Sequence, residues 1–146
     1  MFTNKKLAVL GGGKMGGILL RGVIDKKILS PDRITVTDID KDRLQTLAST
    51  LRVSVSSDNK KAVKNADIVI LAVKPQIFPD LLQDIRPAAT ASKLFMSIAA
   101  GITTGAIEKG LPKGARVLRV MPNVNALAGE GAAAVSRGKN AKSDDA

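Results

Sequence analysis

The chain has 146 residues, a mass of 15.3 kDa and a formal net charge of +10, so it is long enough for one domain with its own core. It contains no cysteine, histidine, tryptophan or tyrosine, which excludes disulfides, cysteine nucleophiles, Ser-His-Asp triads and histidine metal sites within the chain. The basic residues are scattered and the only aromatic residues are three phenylalanines, so the charge favours solvated surfaces over a nucleic-acid site.

Neither a membrane-spanning helix nor a signal peptide is predicted from the sequence. The longest uninterrupted apolar segment, Ile68 to Val73, is far shorter than the roughly 20 residues that a helix needs to cross a bilayer. The apolar segment near the start of the chain is broken at Gly11, and no small-residue cleavage pattern follows it. We therefore expect no membrane partner and a cytoplasmic location.

Short apolar segments alternate with helical patterns along the chain. In chain order, the predicted strands are Lys6–Leu10, Ile34–Thr37, Val53–Val55, Ile68–Val73, Leu94–Ile98, Val117–Val120 and Ala132–Val135. The helical patterns between them lie at Met15–Val23, Asp40–Leu51, Asp58–Lys64, Ile77–Ile85 and Thr103–Gly110. Asp40 and Thr103 are residue types that cap helices, and we expect them to begin the second and fifth helices.

This alternation predicts an α/β fold with a doubly wound, mostly parallel Rossmann-type sheet in a single domain. We expect the domain to span residues 1–137. The segment Ile68 to Val73 is apolar at every position, which is typical of a central parallel strand that is covered on both faces. Residues 138–146 are polar and are predicted to form a disordered tail.

A glycine-rich motif follows the first predicted strand and opens the first predicted helix. Its residues, Gly11, Gly12, Gly13, Lys14, Met15 and Gly16, satisfy G-x-G-x-x-G. In such a motif Gly11 allows a sharp turn, Gly13 lets a pyrophosphate approach the backbone, and Gly16 lets the helix pack closely on the strand. A glycine-rich turn without a ligand is the alternative, but the strand and helix on either side favour a dinucleotide site.

Asp38 ends the second predicted strand, 22 residues after Gly16. An acidic residue at this place can accept a hydrogen bond from the 2′-hydroxyl of an adenosine ribose, which favours NAD. A 2′-phosphate would be repelled by Asp38 and Asp40, although the positive charges of Lys41 and Arg43 could offset the repulsion. The alternative is that the aspartates only cap the next helix, and this is the better interpretation for Asp40.

Three further segments follow predicted strands and should meet at one sheet edge, where ligands of open α/β sheets bind. Ala72 to Pro75 ends the fourth strand, and the small side chains of Ser97 to Gly101, after the fifth, leave room for a flat ring. Asn123 follows the sixth strand and could hydrogen-bond a carboxamide or a substrate. Each segment also has a purely structural interpretation, as a strand-to-helix turn, tight packing or a self-stabilised turn.

At these segments the sequence closely resembles the pyrroline-5-carboxylate reductases, which use NADPH or NADH to reduce the cyclic imine 1-pyrroline-5-carboxylate to proline. The matching segments occur in the family's order and at its spacing over nearly the whole chain. They are Leu10–Gly16, Leu71–Gln76, Ser97–Gly101, Arg119–Asn123 and Gly129–Ala132. The resemblance implies 1-pyrroline-5-carboxylate as the substrate and a homo-oligomer for the full-length family.

The resemblance adds Asn59 as a cofactor contact, a residue for which the sequence alone gives no signal. Together, the motifs and the resemblance predict contacts to NADP(H) or NAD(H) from Leu10, Gly11, Gly12, Gly13, Lys14, Met15, Gly16, Asp38, Asn59, Ala72, Val73, Lys74, Pro75, Ala99, Ala100, Gly101 and Asn123. No catalytic side chain and no metal ligand is predicted.

The sequence departs from the reductase family in two ways. Val124-Asn125 replaces the Thr-Pro that usually follows Met-Pro-Asn, which removes a hydroxyl and a rigid turn beside the expected nicotinamide. The family's second half, a helical domain that builds the dimer and holds the imine carboxylate, has no counterpart in these residues. We therefore expect this cofactor-binding half to bind the dinucleotide and to have little activity alone.

Three other functions remain open at this point. The chain could belong to another glycine-loop dehydrogenase, such as a 3-hydroxyacid dehydrogenase, or be a non-catalytic nucleotide-binding module. A basic nucleic-acid binder ranks last, because it leaves the motifs at the strand ends unexplained.

Overall fold

The computed structural model describes residues 4–122 and 133–146. Within these ranges the strands are β1 (Leu7–Leu10), β2 (Ile34–Thr37), β3 (Ser54–Ser56), β4 (Ile68–Leu71), β5 (Leu94–Ser97), β6 (Arg116–Pro122) and β7 (Ala133–Arg137). The helices are α1 (Lys14–Asp25), α2 (Lys41–Leu51), α3 (Asn59–Lys64), α4 (Phe78–Ile85) and α5 (Thr104–Gly110). These are the predicted elements, with bounds that differ from the prediction by at most two residues. Strand β3 begins one residue later than predicted because Val53 packs into the core instead of pairing.

The strands form a single sheet in the order β3-β2-β1-β4-β5-β6-β7. Each strand in this order is parallel to the next as far as β6, and β7 runs antiparallel to β6. This arrangement confirms the doubly wound, mostly parallel sheet that the alternation of elements predicts. β4 lies at its centre, which explains why every residue of that strand is apolar.

Helices cover both faces of the sheet because successive side chains of a strand point to opposite sides. In β1, Leu10 belongs to the core cluster that contains Phe78 of α4 and Ile107 of α5. Val9 belongs to the cluster that contains Leu20 of α1. No helix in the described ranges is both long and apolar enough to cross a membrane.

Side-chain caps fix where three of the helices begin. The side chains of Asp40, Asp58 and Thr103 each accept a hydrogen bond from a backbone N–H three residues further on. The capping roles predicted for Asp40 and Thr103 are thereby confirmed. The Asp58 cap places Asn59 at the first residue of α3.

Residues 138–146, for which the polar composition predicts a disordered tail, include groups that contact β6. The N–H of Gly138 donates to the carbonyl oxygen of Val117 at 2.8 Å. A short 3₁₀ turn at Ser143–Asp145 brings the carboxylate of Asp145 within 2.7 Å of the Arg116 guanidinium. These partners lie more than 20 residues away in sequence, so composition alone could not reveal them.

Lys93 lies at the amino end of β5 and links this strand to the end of α3. Its side-chain nitrogen donates to the carbonyl oxygens of Ala66 at 2.6 Å and Lys64 at 3.1 Å. Only 9% of Lys93 is exposed. Burial lowers the pKa of Lys93, and the nearby charge of Asp67 opposes that effect only in part. The lysine thus satisfies the carbonyl group of the last residue of α3 and that of Ala66, two residues beyond the helix.

Lys93→Met keeps the length of the side chain and removes both hydrogen bonds. We expect the free energy of unfolding to fall by about 1–3 kcal/mol, because two carbonyl groups lose their partner. Urea denaturation followed by far-UV circular dichroism measures the change. Lys113→Met, at an exposed position, is the control for the loss of one positive charge, and equal midpoints for the two variants would contradict the expectation.

Candidate functional site

The register of the sheet brings four strand ends into one row. Leu10 lies opposite Thr37 of β2 and Leu71 of β4, and Leu71 lies opposite Ser97 of β5. The chain passes from β1 outward to β2 and β3, and then returns to β4 on the other side of β1. This reversal leaves a crevice beyond the carboxyl ends of β1 and β4, the position at which open α/β sheets bind ligands.

Gly11 makes the tight turn that the motif requires. Its φ of +105° lies in a region that side chains other than glycine rarely adopt. Its N–H donates to the carbonyl oxygen of Thr37 at 2.9 Å. A Cβ at Gly11 would lie 2.6 Å from the carbonyl oxygen of Ala72, so only glycine lets the loop after β1 contact the end of β4.

Gly16 and Gly13 differ in what surrounds them. A Cβ at Gly16 would collide with the carbonyl oxygen of Gly11, so this glycine is needed for close packing of α1. A Cβ at Gly13 would meet nothing within 4 Å. Gly13 caps α1 without a side-chain hydrogen bond, and the first bond of the helix runs from the Gly17 N–H to the Gly13 carbonyl oxygen at 2.8 Å. The backbone N–H groups of the first turn are therefore open to an anion.

Asp38 braces the glycine loop. Its Oδ2 accepts from the N–H of Gly12 at 2.8 Å and from the Arg43 guanidinium at 3.1 Å, and its Oδ1 accepts from the N–H of Asp40 at 2.9 Å. Burial raises the pKa of Asp38, but the hydrogen bonds from Asp40, Gly12 and Arg43 outweigh burial and hold the pKa below its ordinary value. Both oxygens of Asp38 thus have partners in the protein. The sequence had suggested a ribose contact or a helix cap for Asp38, and neither interpretation included this contact with the glycine loop.

These elements enclose a cleft of about 600 Å³, which we call the switch-point cleft. It is lined by Gly11, Gly13, Lys14, Thr37, Asp38, Ile39, Arg43, Ser57, Asn59, Ala72, Val73, Lys74, Ile77, Asp80, Leu81 and Asp84. Its volume falls within the range of small-molecule sites.

The cleft collects eight of the predicted site residues, namely Gly11, Gly13, Lys14, Asp38, Asn59, Ala72, Val73 and Lys74. Of the others, Leu10 and Ala99 are buried in the core and Gly12 lies behind the loop against Leu47. Met15, Gly16, Pro75, Ala100 and Gly101 do not line it. Asn123, Val124 and Asn125 lie outside the described residues. Contact of all these residues with a cofactor stays a prediction.

One wall of the cleft was missed by the sequence analysis. Ile77, Asp80, Leu81 and Asp84 recur with the spacing of one helical face, and they bring that face of α4 to the cleft. That spacing is visible in the sequence. What it does not reveal is that this face borders the loops after β1 and β2, because only the strand order places α4 there.

Comparison with known proteins places the chain in a family. The family described as NADP oxidoreductase, coenzyme F420-dependent, matches residues 6–101. The chain belongs to this family. The matched part of this chain includes the glycine loop, Asp38 and the segment after β4.

The curated relatives extend the match over nearly the whole chain. A pyrroline-5-carboxylate reductase of Methanosarcina acetivorans is 41% identical, over 97% of this chain and 53% of the relative. Pyrroline-5-carboxylate reductase 3 of Xenopus laevis is 38% identical, over 89% of this chain and 47% of the relative. These matches confirm the predicted resemblance. The chain spans about half the length of the curated relatives it matches.

Solved structures agree with the fold. A pyrroline-5-carboxylate reductase from Coxiella burnetii superposes with a TM-score of 0.90 at 31% identity, over 97% of this chain and 53% of that one. The pyrroline carboxylate reductase of Plasmodium falciparum, solved with NADP bound, has a TM-score of 0.85 at 30% identity, over 97% of this chain and 51% of that one. The Rossmann-type fold predicted from the sequence is confirmed by both.

The lowered pKa of Asp38 makes stability depend on pH in a defined direction. The ionised carboxylate stabilises the fold above its ordinary pKa of 3.8, and this contribution is lost as the pH falls through the lowered value. Asp38→Asn should therefore reduce the free energy of unfolding at neutral pH, and its difference from the unsubstituted chain should shrink below pH 3.8. Thermal unfolding over a pH series measures both. Asp25→Asn, at an exposed position, is the control, and a difference for Asp38→Asn that does not change with pH would contradict the assignment.

Proposed function

We propose that the chain is the cofactor-binding half of a pyrroline-5-carboxylate reductase, which reduces 1-pyrroline-5-carboxylate to proline with NADPH or NADH. The observation that carries the proposal is the contrast among the motif glycines. Gly11 and Gly16 are closed in by neighbouring backbone, whereas Gly13 faces open space beside the cleft. Relatives named for this reaction, at 30–41% identity, supply the substrate class.

The residues of the cleft fit a nicotinamide dinucleotide. The backbone around Gly13 and the first turn of α1 would bind the pyrophosphate, with the exposed ammonium of Lys14 adding positive charge. Ala72 to Lys74 would form the opposite wall, beyond the end of β4. When bound, the dinucleotide supplies the hydride, and the protein supplies orientation and electrostatics.

We further propose that the cleft accepts both NADPH and NADH. The Arg43 side chain is 46% exposed and its guanidinium pairs with Asp38, so the carboxylate does not face a ligand as an uncompensated charge. Arg43 can turn toward a 2′-phosphate, which a guanidinium binds through charge-assisted hydrogen bonds. Asp38 can accept from a 2′-hydroxyl when no phosphate is present.

A cytoplasmic location and a homo-oligomeric state of the whole reductase are also proposals. Both come from the sequence and its resemblance to the reductase family. Adding 1-pyrroline-5-carboxylate to the chain with NADPH tests the expectation that this half alone has little activity, and fast proline formation would contradict it.

Gly13→Ala should abolish saturable binding of NADPH without loss of stability. The new methyl group has room in the free chain, but it occupies the space where the pyrophosphate would approach. Titration of NADPH, followed by its own fluorescence, measures the affinity, because the chain has no tryptophan or tyrosine to interfere. Gly17→Ala is the matched control, since it also adds a methyl group in open space but does not line the cleft. Equal affinities for the two variants would overturn the proposed site.

Arg43→Met should weaken NADPH binding roughly tenfold and leave NADH binding nearly unchanged, because one charge-assisted contact to the 2′-phosphate is lost. The ratio of the two dissociation constants is the readout. Lys41→Met removes a positive charge from the same helix at an exposed position outside the cleft. The same change of ratio in both variants would indicate a general charge effect and contradict a specific role for Arg43.

A further inference from the structure

The side-chain amide of Asn59 is held from two sides by residues of different elements. The hydroxyl of Thr37, at the end of β2, donates to Oδ1 of Asn59 at 2.5 Å. Nδ2 of Asn59 donates to the Asp84 carboxylate of α4 at 3.2 Å. All three residues line the switch-point cleft, so the contacts link one wall of the cleft to the other.

Thr37 also connects this amide to the glycine loop. Only 1% of Thr37 is exposed, and its carbonyl oxygen accepts from the N–H of Gly11. One residue therefore fixes the turn of the loop through its backbone and the orientation of Asn59 through its side chain. Asp84 is less confined, since its side chain is 42% exposed and lies 3.8 Å from the ammonium of Lys60.

The Asp84 carboxylate decides which way the amide points. It can only accept, so a flipped amide would place two oxygens together, whereas the Thr37 hydroxyl can donate or accept and donates to Oδ1 in this orientation. After both bonds are made, Asn59 retains one N–H and one oxygen lone pair. A group that offers one donor and one acceptor matches a hydroxyl, and the neighbouring end of β2 is where the adenosine ribose of a dinucleotide binds.

We propose that Thr37 and Asp84 are positioning residues that orient Asn59 toward a ribose hydroxyl at the adenosine end of the dinucleotide. The inference rests on the proposed function. Neither residue needs to touch the cofactor for this role. Their effect on binding passes through the amide of Asn59.

Paired substitutions test the two positions by NADPH titration. Thr37→Val keeps the shape of the side chain and loses the hydroxyl, and should raise the dissociation constant roughly three- to tenfold, whereas Thr37→Ser retains the hydroxyl and should restore binding. Asp84→Ala should raise it similarly. Asp42→Ala removes the same charge at an exposed position outside the cleft, and should tighten binding of the anionic ligand or leave it unchanged.

A double-mutant cycle distinguishes positioning from a structural role. In the Asn59→Ala background, Thr37→Val and Asp84→Ala should cause no further loss of affinity. Losses that add to that of Asn59→Ala would overturn the inference. ADP-ribose, used as a competitor of NADPH, should lose affinity in the same variants, and an effect confined to NADPH would also overturn it.

The outcomes separate this inference from the proposed function. If the unsubstituted chain binds neither NADPH nor NADH, the proposed function is wrong. If it binds either dinucleotide and the dissociation constants of Thr37→Val and Asp84→Ala equal its own, only the positioning role is wrong. Far-UV circular dichroism checks that each variant is folded, and the half-exposed Asp84 keeps the test decisive should the buried Thr37 not tolerate valine.

Discussion

The close contact between the loop after β1 and the carboxyl end of β4 is the constraint on which the site depends. It exists only because Gly11 lacks a Cβ, which would otherwise lie 2.6 Å from the carbonyl oxygen of Ala72. The same turn brings the carbonyl of Gly11 against Gly16 and so sets the start of α1. Gly13 lies between these two crowded glycines, and a Cβ there would meet nothing within 4 Å.

Neighbouring cations compensate two of the carboxylates in the cleft. Three carboxylates, from Asp38, Asp80 and Asp84, border a site that suits an anion. Asp38 is paired with Arg43, and Asp84 lies near Lys60. Each pair leaves hydrogen-bonding capacity for a ligand while limiting repulsion of a phosphate. The hydrogen bond from Gly12 gives Asp38 a structural role as well, since it ties β2 to the loop that lines the cleft.

Local patterns predicted the fold because each one has a local cause. The capping positions of Asp40 and Thr103 require only a side-chain acceptor next to a helix start, and the structure confirms both. No local sequence pattern indicates the later start of β3 or the contacts of residues 138–146. Both depend on partners distant in sequence, such as the core around Val53 and the guanidinium of Arg116.

The sequence by itself determined the class of the fold, the glycine loop and the edge of the sheet at which the motifs meet. These follow from the periodicity of apolar residues and from the requirement for glycine where backbones approach closely. Only the tertiary structure decided that Asp38 is a brace with both oxygens engaged, and that Thr37 and Asp84 hold Asn59. The physical reason is that hydrogen bonds between side chains form across elements, and their partners are set by the strand order and not by spacing along the chain.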